Sequence, residues 1–384
     1  KQWTDVESSS PAAIYYGYHG WDKNTKRNLT LSTYAQYYKD FAKIHHFDIM
    51  GGYEWQHFWR TQKTNNWGGY PSTHAEKGGQ YHDWYLHRYK TENYLVSFFG
   101  RLNYILMDRY YLTATLRNDG SSRFKDHWQL YPSAALAYKM SEEKVFKNID
   151  WLSDLKLRLS YGKTGQQEGI GDYNYFAIYA LNSGIGSYYD ISGDGSIARP
   201  DAYDPNLKWE TTDTYNIGFD FGAWNQRFTV GVDVYFRKTT DLLNKADVAA
   251  GTNFKNTEMT NIGSMENKGV EVTLGLKPIQ TDDWYWTIDY NFTYNHNEIT
   301  ELIGDDPNYF VPTGGIGGGT GVNAQAHAVG HPAYSYYVYQ QVYDKAGKPI
   351  EGQVVDRNGD GVITEADKYY YKSPMAPVTM GLRS

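Results

Sequence analysis

The strict two-residue alternation between Tyr215 and Arg237 limits what this chain can fold into. In Tyr215-Asn-Ile-Gly-Phe-Asp-Phe221, and again in Phe228-Thr-Val-Gly-Val-Asp-Val-Tyr-Phe-Arg237, large apolar residues take every second place. Successive side chains of a strand point to opposite faces, so the two segments read as a long β-hairpin closed near Gly222-Ala-Trp-Asn225. One face gathers Ile217, Phe219, Phe221, Phe228, Val230, Val232 and Val234, and the other gathers Asn216, Gly218, Asp220, Thr229, Gly231 and Asp233. Each arm exceeds the usual strand of about 5–6 residues and suits the ~9–11 tilted residues that cross a bilayer.

The pattern recurs along the chain. Leu29 to Tyr37 and Phe47 to Tyr53 alternate, as do Phe98 to Tyr104, Leu112 to Leu116, Ala134 to Met140, Leu155 to Tyr161, Val270 to Leu276, Trp284 to Tyr294 and Val378 to Leu382. Ser141 to Phe146 has the composition of one or two helical turns with a Ser N-cap and early acidic residues. Short turns alternate with long connections. Among the latter are an aromatic segment from Trp55 to about residue 91, a loop of roughly 45 residues from Thr164 to Lys208, one from about Thr239 to Asn267, and one beginning near Glu298. Soluble domains seldom carry so many long loops, whereas outer-membrane barrels have short turns at one end and long loops at the other.

Composition agrees with this class. The 384 residues contain 38 Tyr, 12 Trp and 38 Gly, the mean hydropathy is −0.68, and no run of 18 apolar residues supplies a membrane-spanning helix. Tyr and Trp favour strands and sit well where water meets an apolar phase. A net charge of −7 gives no electrostatic footprint for nucleic acid, and the absence of Cys removes disulfides and thiolate metal sites. In lipid every backbone polar group must pair within the protein, so apolar-faced strands have to close on themselves. The expected fold is all-β: an antiparallel transmembrane β-barrel with long extracellular loops, residues 1–384 forming part of one barrel domain. A large soluble sandwich or propeller is the alternative with the same alternation.

The sharpest local motif is Asp356-Arg-Asn-Gly-Asp-Gly-Val-Ile-Thr-Glu-Ala-Asp367. Asp356, Asn358, Asp360, Thr364 and Asp367 stand where a calcium loop places oxygen ligands, Val362 where it uses a backbone carbonyl, and Gly361 at its sharp turn. Asp367 replaces the usual Glu. Residues 356–367 are therefore expected to bind Ca²⁺ as a structural staple in an extracellular loop. An acidic turn is the plain alternative. Catalytic signals are weak. Gly314 to Gly321 lacks the Lys-Ser/Thr of a phosphate loop, and His327 and His331 lack the Glu of a zincin motif. Trp55, Trp59, Trp67, Trp84, Tyr188, Tyr189 and Trp209 are the candidate ligand-binding residues, with rings able to stack on sugars or on a partner, or else to serve a membrane belt.

Several segments together resemble the SusC/RagA family of TonB-dependent outer-membrane transporters. They are Arg101-Leu-Asn-Tyr104, Tyr111-Leu-Thr-Ala-Thr-Leu-Arg117, Asp119-Gly-Ser-Ser-Arg-Phe124, Tyr131-Pro-Ser133, Trp151 to Arg158 and Ser160-Tyr-Gly-Lys-Thr-Gly165. Leu207-Lys-Trp-Glu-Thr-Thr212, Asn261 to Glu271 and Asp356 to Gly361 continue the likeness. The resemblance implies a barrel of about 22 strands around a plug, driven through the TonB complex, in the outer membrane of a Gram-negative bacterium. It implies import of oligosaccharide or peptide beneath a SusD-like lipoprotein, usually in a dimer of transporter–lipoprotein pairs. About eleven or twelve strands can be counted, so the plug and the remaining strands are expected outside this chain. A passive porin or adhesion barrel is the alternative, and a secreted glycan-binding protein or hydrolase a weaker one.

Overall fold

The computed structural model describes residues 2–4, 18–68, 82–182, 189–190, 197–200, 202–249, 257–303, 309–316 and 322–384. Of residues 2–4, 18–20, 65–68, 82–88, 180–182, 189–190 and 197–199 only the backbone is described.

Twelve antiparallel strands form one meander, each hydrogen-bonded to its neighbour in sequence order within the sheet. They are β1 (Gln2–Thr4), β2 (Tyr18–Phe41), β3 (His45–Gly68), β4 (His82–Leu106), β5 (Tyr110–Ser121), β6 (Trp128–Lys139), β7 (Leu152–Gln166), β8 (Glu210–Ala223), β9 (Phe228–Thr240), β10 (Gly263–Gln280), β11 (Tyr285–Leu302) and β12 (Val378–Arg383). The sheet is open, with β1 and β12 at its edges.

The alternating segments between Tyr215 and Arg237 form the hairpin β8–β9, with Phe219 opposite Val232 and Phe221 opposite Val230. β9 continues the apolar row onto β10, where Val232 meets Val272 and Val230 meets Leu274. The row then reaches Phe292 and Tyr290 on β11 and Met380 and Leu382 on β12. This face is exposed over a wide area: Leu136 at 52%, Ile217 at 55% and Met380 at 65%. Contiguous apolar surface of this extent marks a membrane or protein interaction face, and the outward band of a transmembrane barrel is such a face.

The turns at one end are tight. Ala42-Lys43 and Met107-Asp108 have positive φ at both central residues, the pattern of a type I′ hairpin. The β8–β9 turn puts Trp224, Asn225 and Gln226 in the same region. Between β6 and β7 a 3₁₀ turn (Met140–Glu142) and a short helix α1 (Lys144–Lys147) occupy the segment read as helical. Ser141 does not cap it; the N-cap of α1 is Glu143, while the Ser141 hydroxyl donates to Asp154 at 3.5 Å.

At the other end the loops carry small sheets of their own, and both buried apolar clusters lie there. Phe124, Tyr131, Ile170, Leu207 and Trp209 form one; Ala246, Ile262, Ile299, Leu302 and Ala333 form the other. The segment from Trp55 to residue 91, expected as a loop, is mostly strand. β3 runs to Gly68 and β4 begins at His82, so three neighbouring strands of 24, 24 and 25 residues rise well beyond the 12 to 15 of β5 to β9.

Candidate functional site

The polar face of the meander is wired by ion pairs. Arg158 on β7 sends its guanidinium to Asp220 on β8 (2.8 and 2.9 Å) and to Asp233 on β9 (3.0 and 2.9 Å), a double fork spanning three strands. Gly218 makes room for it, since a Cβ there would lie 2.5 Å from the Arg158 guanidinium carbon. Lys156 adds a contact to Asp220 at 3.6 Å. Farther along, Arg117 on β5 donates to Asp119 (2.7 Å), to Ser97 on β4 (2.8 Å) and to Glu54 on β3 (3.5 Å). Asp48 accepts from Gln36 and Asn103. These groups are partly exposed, as expected of a wall lining water. Charge-assisted forks there fix side-chain positions more than they stabilise the sheet.

Where this face meets the loop end, the first apolar cluster closes over it. Tyr131 points inward from β6, and the ring of Trp209 packs 4.9 Å from Phe124 and edge-on to Tyr131 at 5.9 Å. The Trp209 Nε1–H donates to the His127 carbonyl at 3.4 Å. Arg123 ties the Thr164 to Lys208 loop down, donating to Asp172 (3.0 Å) and to the Gln167 carbonyl (3.0 Å), while Asn93 donates to Asp172 at 2.9 Å. A cavity of about 520 Å³ opens beside them, walled by Phe58, Asn93, Leu95, Asp119, Arg123, Trp209 and residues 165–170. Two of its charged groups are paired, Arg123 with Asp172 and Asp119 with Arg117, and a third, Glu168, stands exposed on its wall. The cavity presents amides, the Phe58 and Trp209 rings, neutral ion pairs and the Glu168 carboxylate to whatever enters.

The candidate ligand-binding residues do not gather there, with one exception. Trp209 lines the cavity, but its ring is buried at 5% exposure and packs the loop instead of standing free to stack. Trp55 and Trp59 lie on β3, not in a loop. They share the parity of Leu29 and Leu31 across the β2–β3 ladder, hence the apolar face, and pack with His57 and Tyr94. Trp67 and Trp84 fall on β3 and β4 and Tyr189 on a two-residue strand, with side chains outside the described residues; Tyr188 lies outside them altogether. The cavity residues Phe58, Asn93 and Arg123 were not singled out by sequence. Continuing the β3 alternation past Tyr53 puts Phe58 on the polar face, and that was the available signal.

Residues 356–367 lie in the β11–β12 connection. Gly359 and Gly361 adopt positive φ, and Asp356 accepts from the N–H groups of both at 2.7 Å. Asp360 accepts from Val362, and Asn358 from Asp360. Asp367 has no solvent exposure. It accepts from Arg357 (2.8 Å), Asn358 (3.4 Å) and Thr364 (2.8 Å), closing a capping box with Thr364. Backbone N–H groups, Thr364 foremost, hold its carboxyl below the ordinary aspartate range. The donors are all hard oxygens in calcium-loop order. They are engaged by backbone N–H groups, and among the described residues no three His, Asp or Glu side chains converge as a metal cluster. Of the other glycine and histidine segments, Gly314-Gly315 ends a strand (Phe310–Gly315), and residues 317–321 lie outside the described residues. His327 and His331 are partly buried, which pushes both imidazoles below their ordinary range.

An antiparallel meander with a wet, ion-paired face, a lipid-facing apolar face and packed loops at one end defines an outer-membrane β-barrel receptor. Residues 2–357 match the family described as "TonB dependent receptor-like, beta-barrel", and the chain belongs to that family of Gram-negative outer-membrane proteins. It is 48% identical to the TonB-dependent receptor SusC of Bacteroides thetaiotaomicron over 393 aligned positions, covering 100% of this chain and 38% of that protein. It is 33% identical to the TonB-dependent receptor P39 of Formosa agariphila, over 74% of this chain and 27% of that protein. The solved structure of the RagAB peptide transporter superposes with a TM-score of 0.78 at 26% identity, over 95% of this chain and 40% of that chain. The chain thus spans about two fifths or less of the length of these relatives.

Proposed function

We propose that this chain is part of the barrel of an energy-coupled outer-membrane importer whose cargo is an oligosaccharide. The observation that carries the reading is the mouth cavity: Asn93, Gln166 and Gln167 supply amide donors and acceptors, Phe58 a ring face, Arg123 and Asp119 are neutralised by their partners, and the exposed Glu168 carboxylate is a hydrogen-bond acceptor for hydroxyls. A ligand rich in hydroxyls and free of charge suits such a surface. A charged one would have to break the Arg123–Asp172 pair. Peptide cargo is the second reading, favoured by the likeness to a chain of the RagAB peptide transporter. We further propose a TonB complex as the energy source and a SusD-like surface lipoprotein over the loop end, in a dimer of such pairs. The SusC and RagAB likenesses support the partner.

The test is uptake of labelled oligosaccharides and peptides by cells expressing the full-length protein. Uptake of oligosaccharide should stop when the proton gradient is collapsed and should fall at least tenfold in Phe58→Ala. Persistence without the gradient would point to a passive porin, and uptake of peptide alone would select the second reading. We also propose that residues 356–367 bind Ca²⁺ through Asp356, Asn358, Asp360, Val362, Thr364 and Asp367, bracing an external loop. Calcium should then protect this loop from protease, and Asp356→Ala should abolish the protection; a loop equally labile with and without calcium would rule the site out.

A further inference from the structure

The outer face of β2 to β4 changes character toward the loop end. Leu29, Leu31 and Trp55 are followed by Arg27 and Trp59, then Thr25, Thr61 and Lys90, then Lys23 and Lys63, each set paired across the ladder. All of these but Leu31 and Trp55 line an open groove of about 750 Å³, and those two continue the face below it. Lys23, Arg27, Lys63 and Lys90 are exposed, and no carboxylate of the described residues lies within ion-pair distance of any of them. Glu92, the one acid in these rows, faces His57 at 3.3 Å. Lys23 and Lys63 sit directly opposite one another, an arrangement that destabilises a sheet unless an anion intervenes. The chain carries a net charge of −7, and its inward-facing Arg117 and Arg158 are paired, so this patch is a local reversal of sign.

Its height is informative. Between Phe41, at the turn end of β2, and Leu29 the strand covers about 40 Å, or about 30 Å along the membrane normal at the usual tilt. That is the thickness of a hydrocarbon core. Arg27, Trp59 and the lysines beyond therefore emerge at the external headgroup level, with Trp59 where interfacial aromatics belong.

We propose that this groove seats a phosphorylated, acylated glycolipid of the outer leaflet, its acyl chains along Leu29, Leu31 and Trp55 and its phosphates among Lys23, Lys63 and Lys90. The assignment rests on the barrel's outer-membrane location and is independent of cargo. An amphiphile is favoured because the cationic rows continue directly into the lipid-facing stripe.

The experiment uses the full-length protein purified from outer membranes in mild detergent. Binding of bis-phosphorylated lipid A and of its dephosphorylated form is measured, and co-purifying glycolipid and protein are quantified by mass spectrometry. Each lysine should contribute about fivefold, so K23Q/K63Q/K90Q should weaken binding by about 100-fold. Removing the phosphates from the lipid should weaken wild-type binding to the same extent. The K26Q/R60Q control, on the opposite face of the same strands, should bind as wild type. Equal affinity of wild type and triple variant, or of the two lipids, would overturn the proposal. So would loss of a co-purified protein with lipid binding intact, which would give the groove to an acidic partner. Should the triple variant fail to insert, as judged by heat-dependent gel mobility, K63Q alone is read for its fivefold effect, and an unchanged affinity overturns the proposal.

Discussion

Replacing Val232 by arginine tests the central claim that the exposed apolar face meets lipid. Val232 lies between Phe219 and Val272 on its two neighbours, midway along β9 between Phe228 and Phe236. About 13 Å of strand separates it from either ring, or about 10 Å along the membrane normal at a tilt near 40°. A guanidinium can snorkel by on the order of 6 Å, so it stays inside the hydrocarbon. The expected loss is ~2–4 kcal/mol, the range for a cation near the bilayer midplane. The same substitution at Thr273, one strand over and on the other face, is the control. Thr273 stands opposite Gly231, which leaves space, and the Asp220 carboxylate is 3.8 Å from where a Gly231 Cβ would be. Arginine there enters a wet, acidic neighbourhood, and the change should stay within about 1 kcal/mol. The measurement is reversible urea unfolding of the full-length protein from lipid vesicles, followed by tryptophan fluorescence and gel mobility. If Val232→Arg were as stable as wild type, or Thr273→Arg equally damaging, the assignment of faces would be wrong.

Three further outcomes follow from the ion pairs and loops. Arg158→Met strands Asp220 and Asp233 without their shared cation; because the groups are about a third exposed, unfolding in vesicles should show a loss of ~1–3 kcal/mol, with Arg158→Lys recovering part of it. Trp209→Ala empties the core over the cavity, and on the order of 3–5 kcal/mol of local stability should go, seen as faster proteolysis within residues 167–209 while the sheet stays folded. Acidification should act on the external loop in two windows. His327 and His331 have depressed values, so the stability that comes from their neutral forms is complete above about pH 6.5 and is lost as pH falls through the folded values. Asp367 is depressed too, so its contribution is present above about pH 4 and fails below that. Hydrogen exchange of residues 323–370 between pH 3 and 7 reads both windows, and Asp367→Asn should remove the lower one alone.

Alternation made the bilayer-spanning part of each strand legible, because lipid on one side and water on the other force a period of two. Above the bilayer both faces are wet and the rule lapses. Gln56, His57, Arg60 and Gln62 interleave with Trp55 and Trp59 without a clean apolar set, so the upper halves of β3 and β4 looked like an aromatic loop. The same lapse hid Phe58 in the cavity and Arg27 in the outer groove. The burial of Trp209 was hidden for another reason. Its burial depends on Phe124 and Tyr131, which are remote in the chain, and no local pattern announces a contact of that kind.

Strand length decides where the chemistry can sit. β5 to β9 are long enough to cross the bilayer and little more, and their inward side chains are committed to ion pairs such as Arg158 with Asp220 and Asp233. β2 to β4 rise beyond the bilayer as a wall wet on both sides, free of the demand that one face be apolar. That freedom allows one wall to hold two unrelated surfaces back to back: Phe58 and Asn93 toward the mouth cavity, and Lys23, Lys63 and Lys90 toward the outer leaflet. Because adjacent side chains on a strand point opposite ways, Phe58→Ala should affect cargo and leave lipid binding intact, while Lys63→Gln should do the reverse. A variant of either residue that altered both readouts equally would mean that the wall acts as one surface, and the division of labour argued from the register would fail.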